Sequence, residues 1–263
     1  MIRELTPDEL DQILSTIDRK RHFLYYSYLT IRRPNTIHFG QYSERGELLG
    51  VLAFLRGLPF HAFSVYPLAC SFRIGPLLSF ARTRLSLPDG ATGSFIVNSK
   101  DLADLEAQLR WTGSPRELLL MKHVREEILP LPSEGPQVQL LDASYFGRIE
   151  AKQREWNAMA FSREELNYPF YGVTEQGELV AAGGYHVFTD EYAELGNIGT
   201  DVARRRRGLG TKVCAELTRH GRAACAEVYL NVLTENEGAV RLYESLGYEI
   251  VCRQYIAEFA VEG

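Results

Sequence analysis

A run of four arginines, Arg204 to Arg207, stands directly before Gly208, Gly210 and the first turn of a predicted helix. Cations at a helix N-terminus oppose the helix dipole by about 0.3–1 kcal/mol each unless an anion compensates them. Backbone N–H groups that point out of a helix start, together with glycines that allow close approach, are what a pyrophosphate group requires. The pattern Arg205-x-x-Gly208-x-Gly210 therefore indicates an anion site, the alternative being a solvated arginine cluster at a turn.

A second group of residues follows about thirty positions downstream, where Asn236 precedes Tyr243, Gly247 and Tyr248. Taken with the arginine loop, this stretch resembles the GNAT superfamily of acetyl-CoA-dependent N-acetyltransferases. The resemblance covers roughly residues 137–259, whereas the first half resembles the family only through the order of its predicted elements. It implies a GNAT acyltransferase fold, an α/β (α+β) fold with a mixed sheet, in the C-terminal half. The N-terminal half would be a degenerate GNAT-like domain.

The resemblance implies that the anion is coenzyme A, supplied as acetyl-CoA. Its pyrophosphate would lie against residues 206–211, with Arg205 at the entry of the loop. The preceding strand would offer the backbone of residues 198–200 to the amides of the pantetheine arm. Asn236 matches an asparagine that contacts this arm, although an asparagine here is equally a helix N-cap. The residues assigned to the cofactor are Ile198, Gly199, Thr200, Arg205, Arg206, Arg207, Gly208, Leu209, Gly210, Thr211, Asn236 and Tyr243.

Two residues would carry the chemistry that the resemblance implies. Tyr243 matches the tyrosine that protonates the departing thiolate, its alternative role being an aromatic packed in the core. A general base is required because the acceptor amine arrives mostly protonated. Glu194 is the candidate; the alternatives are that it is a solvent-facing glutamate on an edge strand, or that a water relay runs through Asn231. The implied reaction is direct acyl transfer, since the sequence places no recognisable cysteine and histidine pair.

The acceptor is predicted to be a primary amine of a small molecule or an amino acid. The segments that bind it in the family correspond here to residues 154–172 and 185–194, whose acidic turn could attract a cation. His186 is predicted to be an ordinary strand residue rather than a catalyst. Two other functions stay open, a non-catalytic acyl-CoA-binding module and an arginine-rich nucleic-acid contact. The aromatic residues of these segments line either an apolar pocket or the core: Trp156, Phe161, Tyr168, Tyr171 and Tyr185.

The elements that position these residues follow from periodicity and from glycine and proline signals. Three prolines and a glycine in residues 126–137 predict a linker between a domain of residues 1–128 and a catalytic domain of residues 137–263. The shared order of elements in the halves predicts a degenerate duplication. Gly196 and Gly199 predict a bulge or a close approach to a strand. In the second half we predict strands at 137–141, 169–174, 178–188, 192–201, 227–233 and 248–259, helical stretches in 143–166, and helices at about 206–221 and 237–246.

Composition narrows the class of protein. The 263 residues carry a net charge of -5 without the basic excess of a nucleic-acid binder, so no nucleic-acid partner is predicted. No run of about 18 apolar residues occurs, and the charged N-terminus lacks a signal-peptide pattern, so we predict no membrane partner and a cytoplasmic location. The four cysteines form no C-x-x-C pair, which indicates no metal site. A monomer and a homodimer are both compatible with the sequence.

Overall fold

The structure, a computed structural model, describes residues 1–130, 137–158 and 160–262. These residues form two compact units. Unit 1 comprises Met1–Leu118 and Cys252–Gly263, and unit 2 comprises Leu119–Val251. Residues 131–136 of the predicted linker lie outside the described residues, as does residue 159 in the predicted helical stretch.

Strands and helices follow one another throughout the described chain. The first half contains β1 (Ile2–Glu4), α1 (Pro7–Thr16), α2 (Phe23–Leu29), β2 (Thr36–Tyr42), β3 (Leu48–Leu55), β4 (His61–Pro67), α3 (Ile74–Leu85), β5 (Thr92–Asn98), α4 (Ser99–Glu106) and β6 (Arg116–His123). The second half contains β7 (Gln139–Leu141), α5 (Phe146–Glu155), β8 (Phe170–Glu175), β9 (Glu178–Phe188), β10 (Tyr192–Thr200), α6 (Leu209–Ala224), β11 (Glu227–Leu233), α7 (Glu237–Ser245) and β12 (Tyr248–Ala260).

The two halves repeat one pattern of strand pairing. In the first half, β1 to β4 pair successively in antiparallel fashion, and β4 then pairs with β5 in parallel. In the second half, β7 to β10 pair successively in antiparallel fashion, and β10 then pairs with β11 in parallel. A helix joins the two parallel strands in each case, as a parallel connection requires. This repeat confirms the predicted mixed α/β fold with a degenerate copy in the first half.

The boundaries of the compact units differ from those of the predicted domains 1–128 and 137–263. Residues 252–260 of β12 belong to unit 1, where Gln254–Ala260 pair with Thr92–Asn98 of β5. Residues 119–123 of β6 belong to unit 2. Each compact unit therefore includes strand residues that the sequence assigns to the other half.

Alternation along β10 determines which side chains face the helix α6. Ala193 and Leu195 are buried in one hydrophobic cluster with Leu209 and Val213, which lie one helical turn apart on α6. Because successive strand residues point to opposite faces, Glu194 lies on the face away from α6. The same packing that buries β10 thus separates an acidic side chain from the apolar core.

Helix α6 begins at Leu209, later than the predicted start at about residue 206. Arg206 and Gly208 have φ values of 63° and 75°, in the left-handed region that an α-helix cannot contain. Among the described residues, no helix has the length and apolar composition needed to span a bilayer.

Candidate active site

The parallel strands β10 and β11 separate within the sheet. Residues 192–195 pair with residues 227–230, and the pairing ends there although β10 continues to Thr200 and β11 to Leu233. Residues 196–200 of β10 therefore present an edge whose backbone groups do not pair with β11. An extended amide-containing ligand can hydrogen-bond to such an edge as an additional strand does.

A bulge lies at the start of this edge. Between the pairs Gly196 with Gly184 and Gly199 with Ala182, β10 advances one residue more than β9. Asn197, inside the bulge, has a φ of 58°. The bulge predicted from the two glycines of β10 is thus confirmed, and it redirects the backbone where β10 leaves β11.

Side chains of this chain lie against both of these glycines. A Cβ atom on Gly196 would collide with the imidazole of His186, and one on Gly199 would collide with the indole of Trp156. The Trp156 indole N–H also donates to Oδ1 of Asp201 at 3.0 Å. These rings occupy the faces of both glycines, so a ligand cannot lie on those faces. The backbone of β10 is accessible to a ligand only along the edge that β11 leaves unpaired.

A buried carboxylate holds the bulge. Oε2 of Glu165 accepts a hydrogen bond from Nδ2 of Asn197 at 2.6 Å, and Oε1 lies 3.0 Å from Nδ1 of His186. The backbone carbonyl of Asn197 accepts from Nε2 of Gln153 at 2.8 Å. Glu165 is 6% exposed and Asn197 is 9% exposed. Neither Glu165 nor Gln153 was predicted to have a role, because the local pattern of Glu165, the capping box Ser162-x-x-Glu165, indicates only a helix start and Gln153 has no distinguishing pattern.

The four arginines divide into two pairs. Arg204 and Arg207 form ion pairs of 2.8 Å and 2.9 Å with Glu175, at the end of β8. Arg205 and Arg206 are exposed, and neither has a carboxylate partner among the described residues. The Nε atom of Arg205 donates to the carbonyl of Thr200 at 3.3 Å, at the end of the open edge. Two positive charges therefore remain for an external anion.

The N-terminus of α6 offers backbone donors to such an anion. Gly208 precedes the helix with a φ of 75° and has no side chain to cap it, and among the described residues no side chain hydrogen-bonds to the N–H groups of residues 209–211. The nearest atom to a Cβ placed on Gly210 would be Oγ1 of Thr200, at 3.6 Å. The N–H groups of the first turn, the positive end of the helix dipole and two guanidinium groups without a carboxylate partner among the described residues together suit a pyrophosphate.

The equivalent helix of unit 1, α3, lacks these donors. The N–H of Ile74 donates to Oε1 of Gln108 at 3.2 Å, and the N–H of Arg73 donates to Oε1 of Gln41 at 2.8 Å. Pro76, in the first turn, has no N–H at all. Glutamine side chains thus occupy the positions where an anion would bind to α3.

Glu194 and Asn231 form a pair beside the point where the strands separate. Nδ2 of Asn231 donates to Oε1 of Glu194 at 2.8 Å, and Glu194 is 8% exposed. Oδ1 of Asn231 is buried and has no hydrogen-bond partner among the described residues. Because β10 lies between β9 and β11, the alternative of a solvent-facing Glu194 on an edge strand is wrong.

Helix α7 carries Tyr243 and begins at Asn236. Tyr243 is 9% exposed, and burial raises the pKa of its phenol well above the usual value, so the hydroxyl keeps its proton at neutral pH. Burial also raises the pKa of the Cys214 thiol to about 12, which leaves that thiol un-ionised and a poor nucleophile. Oδ1 of Asn236 accepts from the N–H of Ala239 at 3.3 Å, so the capping role of Asn236 is observed.

The aromatic residues of the predicted acceptor segments differ in burial. Tyr185 is fully buried and donates to the carbonyl of Leu217 at 2.6 Å, which makes it a core residue. Trp156 and Phe161 pack against one apolar cluster, and Tyr168 and Tyr171 pack against another. These last four residues are only partly buried.

Comparison with known proteins identifies the family. Residues 136–248 match the acetyltransferase (GNAT) family. The N-alpha-acetyltransferase RimI of Mycobacterium tuberculosis is 36% identical over 121 residues, which cover 42% of this chain and 74% of RimI. The chain belongs to the GNAT acetyltransferase family. The resemblance seen in the arginine loop and in the Asn236–Tyr243 stretch is thereby confirmed, and the GNAT chain is by family an acyltransferase.

Two further relatives show how far the similarity of this GNAT chain extends. The [ribosomal protein bS18]-alanine N-acetyltransferase of Escherichia coli K12 is 33% identical over 113 residues, which cover 41% of this chain and 74% of that enzyme. An uncharacterized protein of Mycobacterium leprae is 30% identical over 154 residues, 53% of this chain. That match spans 42% of the length of the M. leprae protein.

Solved structures share the GNAT fold along the whole chain. A GCN5-related N-acetyltransferase from Sphaerobacter thermophilus matches with a TM-score of 0.72 at 16% identity, covering 100% of this chain and 96% of that one. A tandem GNAT protein from the clavulanic acid biosynthesis pathway matches with a TM-score of 0.66 at 15% identity, covering 100% and 99%. These likenesses confirm the predicted tandem GNAT fold.

Proposed function

We propose that this GNAT protein transfers the acetyl group of acetyl-CoA to a primary amine by direct attack of the amine on the thioester. One observation carries the proposal. The open edge of β10 leads into the uncapped N-terminus of α6, and the buried Glu194–Asn231 pair lies beside the point where that edge begins. A site for an extended anionic ligand and a carboxylate able to accept a proton are thus adjacent along one strand.

In this proposal, the pantetheine arm of acetyl-CoA hydrogen-bonds to the backbone of residues 198–200. The N–H groups of residues 209–211 and the guanidinium groups of Arg205 and Arg206 hold the pyrophosphate. Arg204 and Arg207 act indirectly, because their ion pairs with Glu175 fix the loop against β8. Arg205, Arg206 and residues 209–211 of the loop thereby receive a contact, and Arg207 receives a supporting role.

Two residues of the chain transfer protons in the proposed reaction. Glu194 accepts a proton from the incoming ammonium group, with Asn231 holding one of its oxygens. The freed amine forms the new N–C bond with the acetyl carbonyl, and the C–S bond of the thioester breaks. Tyr243, whose raised pKa keeps its hydroxyl protonated until this step, donates its proton to the departing sulfur, and its phenolate regains a proton as the nitrogen loses its second one to form the amide. No covalent bond to the protein is formed at any stage.

The acceptor proposed from the sequence is an amine of a small molecule or an amino acid. A second candidate is the amino group at a protein N-terminus, because the E. coli relative acts on alanine of ribosomal protein bS18. Buried Glu194 favours a cationic amine in either case. It also weighs against a non-catalytic acyl-CoA-binding module, in which a buried carboxylate at this position would have no task. The cytoplasmic location stays a prediction.

Calorimetric titration with acetyl-CoA tests the proposal. The unmodified protein is expected to bind, and Gly210→Glu is expected to weaken binding by at least about a hundredfold, because it places a carboxylate where the pyrophosphate would lie. Gly210→Ala is the matched control, since its Cβ has 3.6 Å to the nearest atom and adds no charge.

Acetyl-CoA consumption with a panel of amines, including a peptide that begins with alanine, then identifies the acceptor class. Absence of acetyl-CoA binding by the unmodified protein would refute the proposed function. Equal acetyl-CoA affinities of Gly210→Glu and Gly210→Ala would show that the cofactor does not bind at the α6 loop.

A further inference from the structure

The bulge in β10 is fixed by groups outside the strand. Asn197 has a left-handed backbone, which non-glycine residues adopt infrequently and which surrounding contacts must maintain. Its side chain donates to Glu165 and its carbonyl accepts from Gln153. Both partners lie on the segment that joins β7 to β8. The backbone direction at the start of the open edge of β10 therefore depends on residues of another segment.

Glu165 bonds to two different elements with its two oxygens. Oε2 accepts from Asn197 of β10 at 2.6 Å, while Oε1 lies 3.0 Å from Nδ1 of His186 on β9. The imidazole of His186 lies against Gly196, the residue before Asn197. One buried carboxylate thus fixes the bulge both directly and through a ring packed on its glycine.

Glu165 itself lies in the single helical turn Arg163–Asn167. This turn belongs to residues 154–172, the segment that we expect to bind the acceptor. The hydrogen bond from Asn197 to Glu165 is buried and charge-assisted, hence shorter and stronger than a neutral one, so a movement of the turn on acceptor binding would reach Asn197 through it. The same bond would transmit a change in the opposite direction when the cofactor occupies β10.

We propose that Glu165 is a positioning residue that couples the acceptor segment to the cofactor-binding edge of β10. It acts through Asn197 and His186 and does not touch the reacting atoms. The inference rests on the proposed function, since it assumes that acetyl-CoA binds along residues 198–200. An ionised Glu165 accepts with both oxygens, from Asn197 and from the Nδ1–H tautomer of His186; a glutamine that accepts from Asn197 turns its N–H group toward Nδ1 of His186 and can bond to it only if the imidazole takes the other tautomer.

A double-mutant cycle tests the coupling. The variants are Glu165→Gln, Asn197→Gly and their combination, with Glu164→Gln as the control that makes the same change at the neighbouring exposed residue. Glycine adopts the left-handed backbone freely, so Asn197→Gly keeps the bulge but removes the hydrogen bond to Glu165. For each variant, calorimetry gives the acetyl-CoA Kd, and thermal unfolding gives the Tm.

Each single variant is expected to weaken acetyl-CoA binding by about fivefold, and the double variant by the same factor rather than by its square. Glu164→Gln is expected to bind as the unmodified protein does. A merely structural role would lower the Tm and leave Kd unchanged, and that result would overturn the proposal, as would independent effects of the two substitutions. If Glu165→Gln does not fold, an unchanged acetyl-CoA Kd for Asn197→Gly is by itself sufficient to overturn the proposal. Failure of the unmodified protein to bind acetyl-CoA would instead refute the proposed function.

Discussion

At the scale of single residues, one carboxylate explains why four arginines can stand together. Glu175 compensates Arg204 and Arg207, while Arg205 and Arg206 stay exposed. The outer pair, Arg204 and Arg207, therefore stabilises the loop without a ligand, although ion pairs of this kind contribute only about 0–1 kcal/mol each. The inner pair, Arg205 and Arg206, has no carboxylate partner among the described residues, which is the reason to assign it to the pyrophosphate.

Substitution of Tyr243 separates acid catalysis from packing. Tyr243→Phe keeps the buried ring but removes the proton donor, so we expect kcat to fall by about a hundredfold while the acetyl-CoA Kd changes less than about twofold. Because burial raises the pKa of Tyr243, its hydroxyl is protonated from acid through neutral pH, and the loss is expected across that whole range. Steady-state kinetics and calorimetry measure the two quantities.

Tyr255→Phe, on the part of β12 that belongs to unit 1, serves as the control for this substitution. An unchanged kcat in Tyr243→Phe would leave Tyr243 with a packing role only. A loss of cofactor affinity equal to the loss of kcat would give the hydroxyl a binding role in place of proton donation.

The residues of the site differ in how well a sequence can reveal them. Arg205, Gly208 and Tyr243 stand in local motifs with a physical meaning of their own. Glu165 does not, because its partners Asn197 and His186 lie 32 and 21 residues away and meet it only after the sheet has formed. For the same reason, the sequence could not predict the hydrogen bond between Asn231 and Glu194, which lie 37 residues apart.

At the scale of elements, strands were easier to predict than the arginine loop before α6. β9 and β11 span residues 178–188 and 227–233, as predicted, because their apolar runs end at clear turn signals. The start of α6 was predicted at about residue 206 and lies at Leu209. Left-handed backbone at Arg206 has no signature in the sequence, since arginine rarely adopts it.

Asn236 supports α7, and its capping contribution can be measured. Asn236→Ala removes the acceptor for the N–H of Ala239 and is expected to lower the free energy of unfolding by about 0.5–2 kcal/mol. Asn236→Ser keeps a capping oxygen and is expected to retain most of that stability. Urea denaturation of the three proteins compares the values. Equal stability of all three would show that the hydrogen bond to Ala239 contributes nothing measurable.

At the scale of the whole molecule, two similar folds do not imply two cofactor sites. Gln41 and Gln108 occupy donors at the start of α3, and Pro76 removes another, so the first half has no counterpart of the α6 anion site. We expect calorimetry to give one acetyl-CoA per chain. The Gly210→Glu variant should then retain no site of undiminished affinity; such a site in that variant, or a stoichiometry of two, would contradict the interpretation of α3.

The two compact units also differ in continuity along the chain. Unit 2 is the single stretch Leu119–Val251, whereas unit 1 needs Met1–Leu118 together with the residues from Cys252 onward. A fragment of residues 137–263 therefore lacks β6 residues of unit 2 and carries strand residues of unit 1. For separate expression, Leu119–Val251 is the fragment that preserves one unit intact.

This discontinuity has a consequence during protein synthesis. β5 leaves the ribosome well before Gln254–Ala260, the residues with which it pairs. At about 5–20 residues per second, synthesis of Leu119–Val251 imposes a delay of roughly 7–27 s. Throughout that interval β5 lacks its β12 partner, the kind of exposed edge on which nascent chains aggregate and chaperones act. The unit that comes second in the sequence is thus the first that the ribosome can complete.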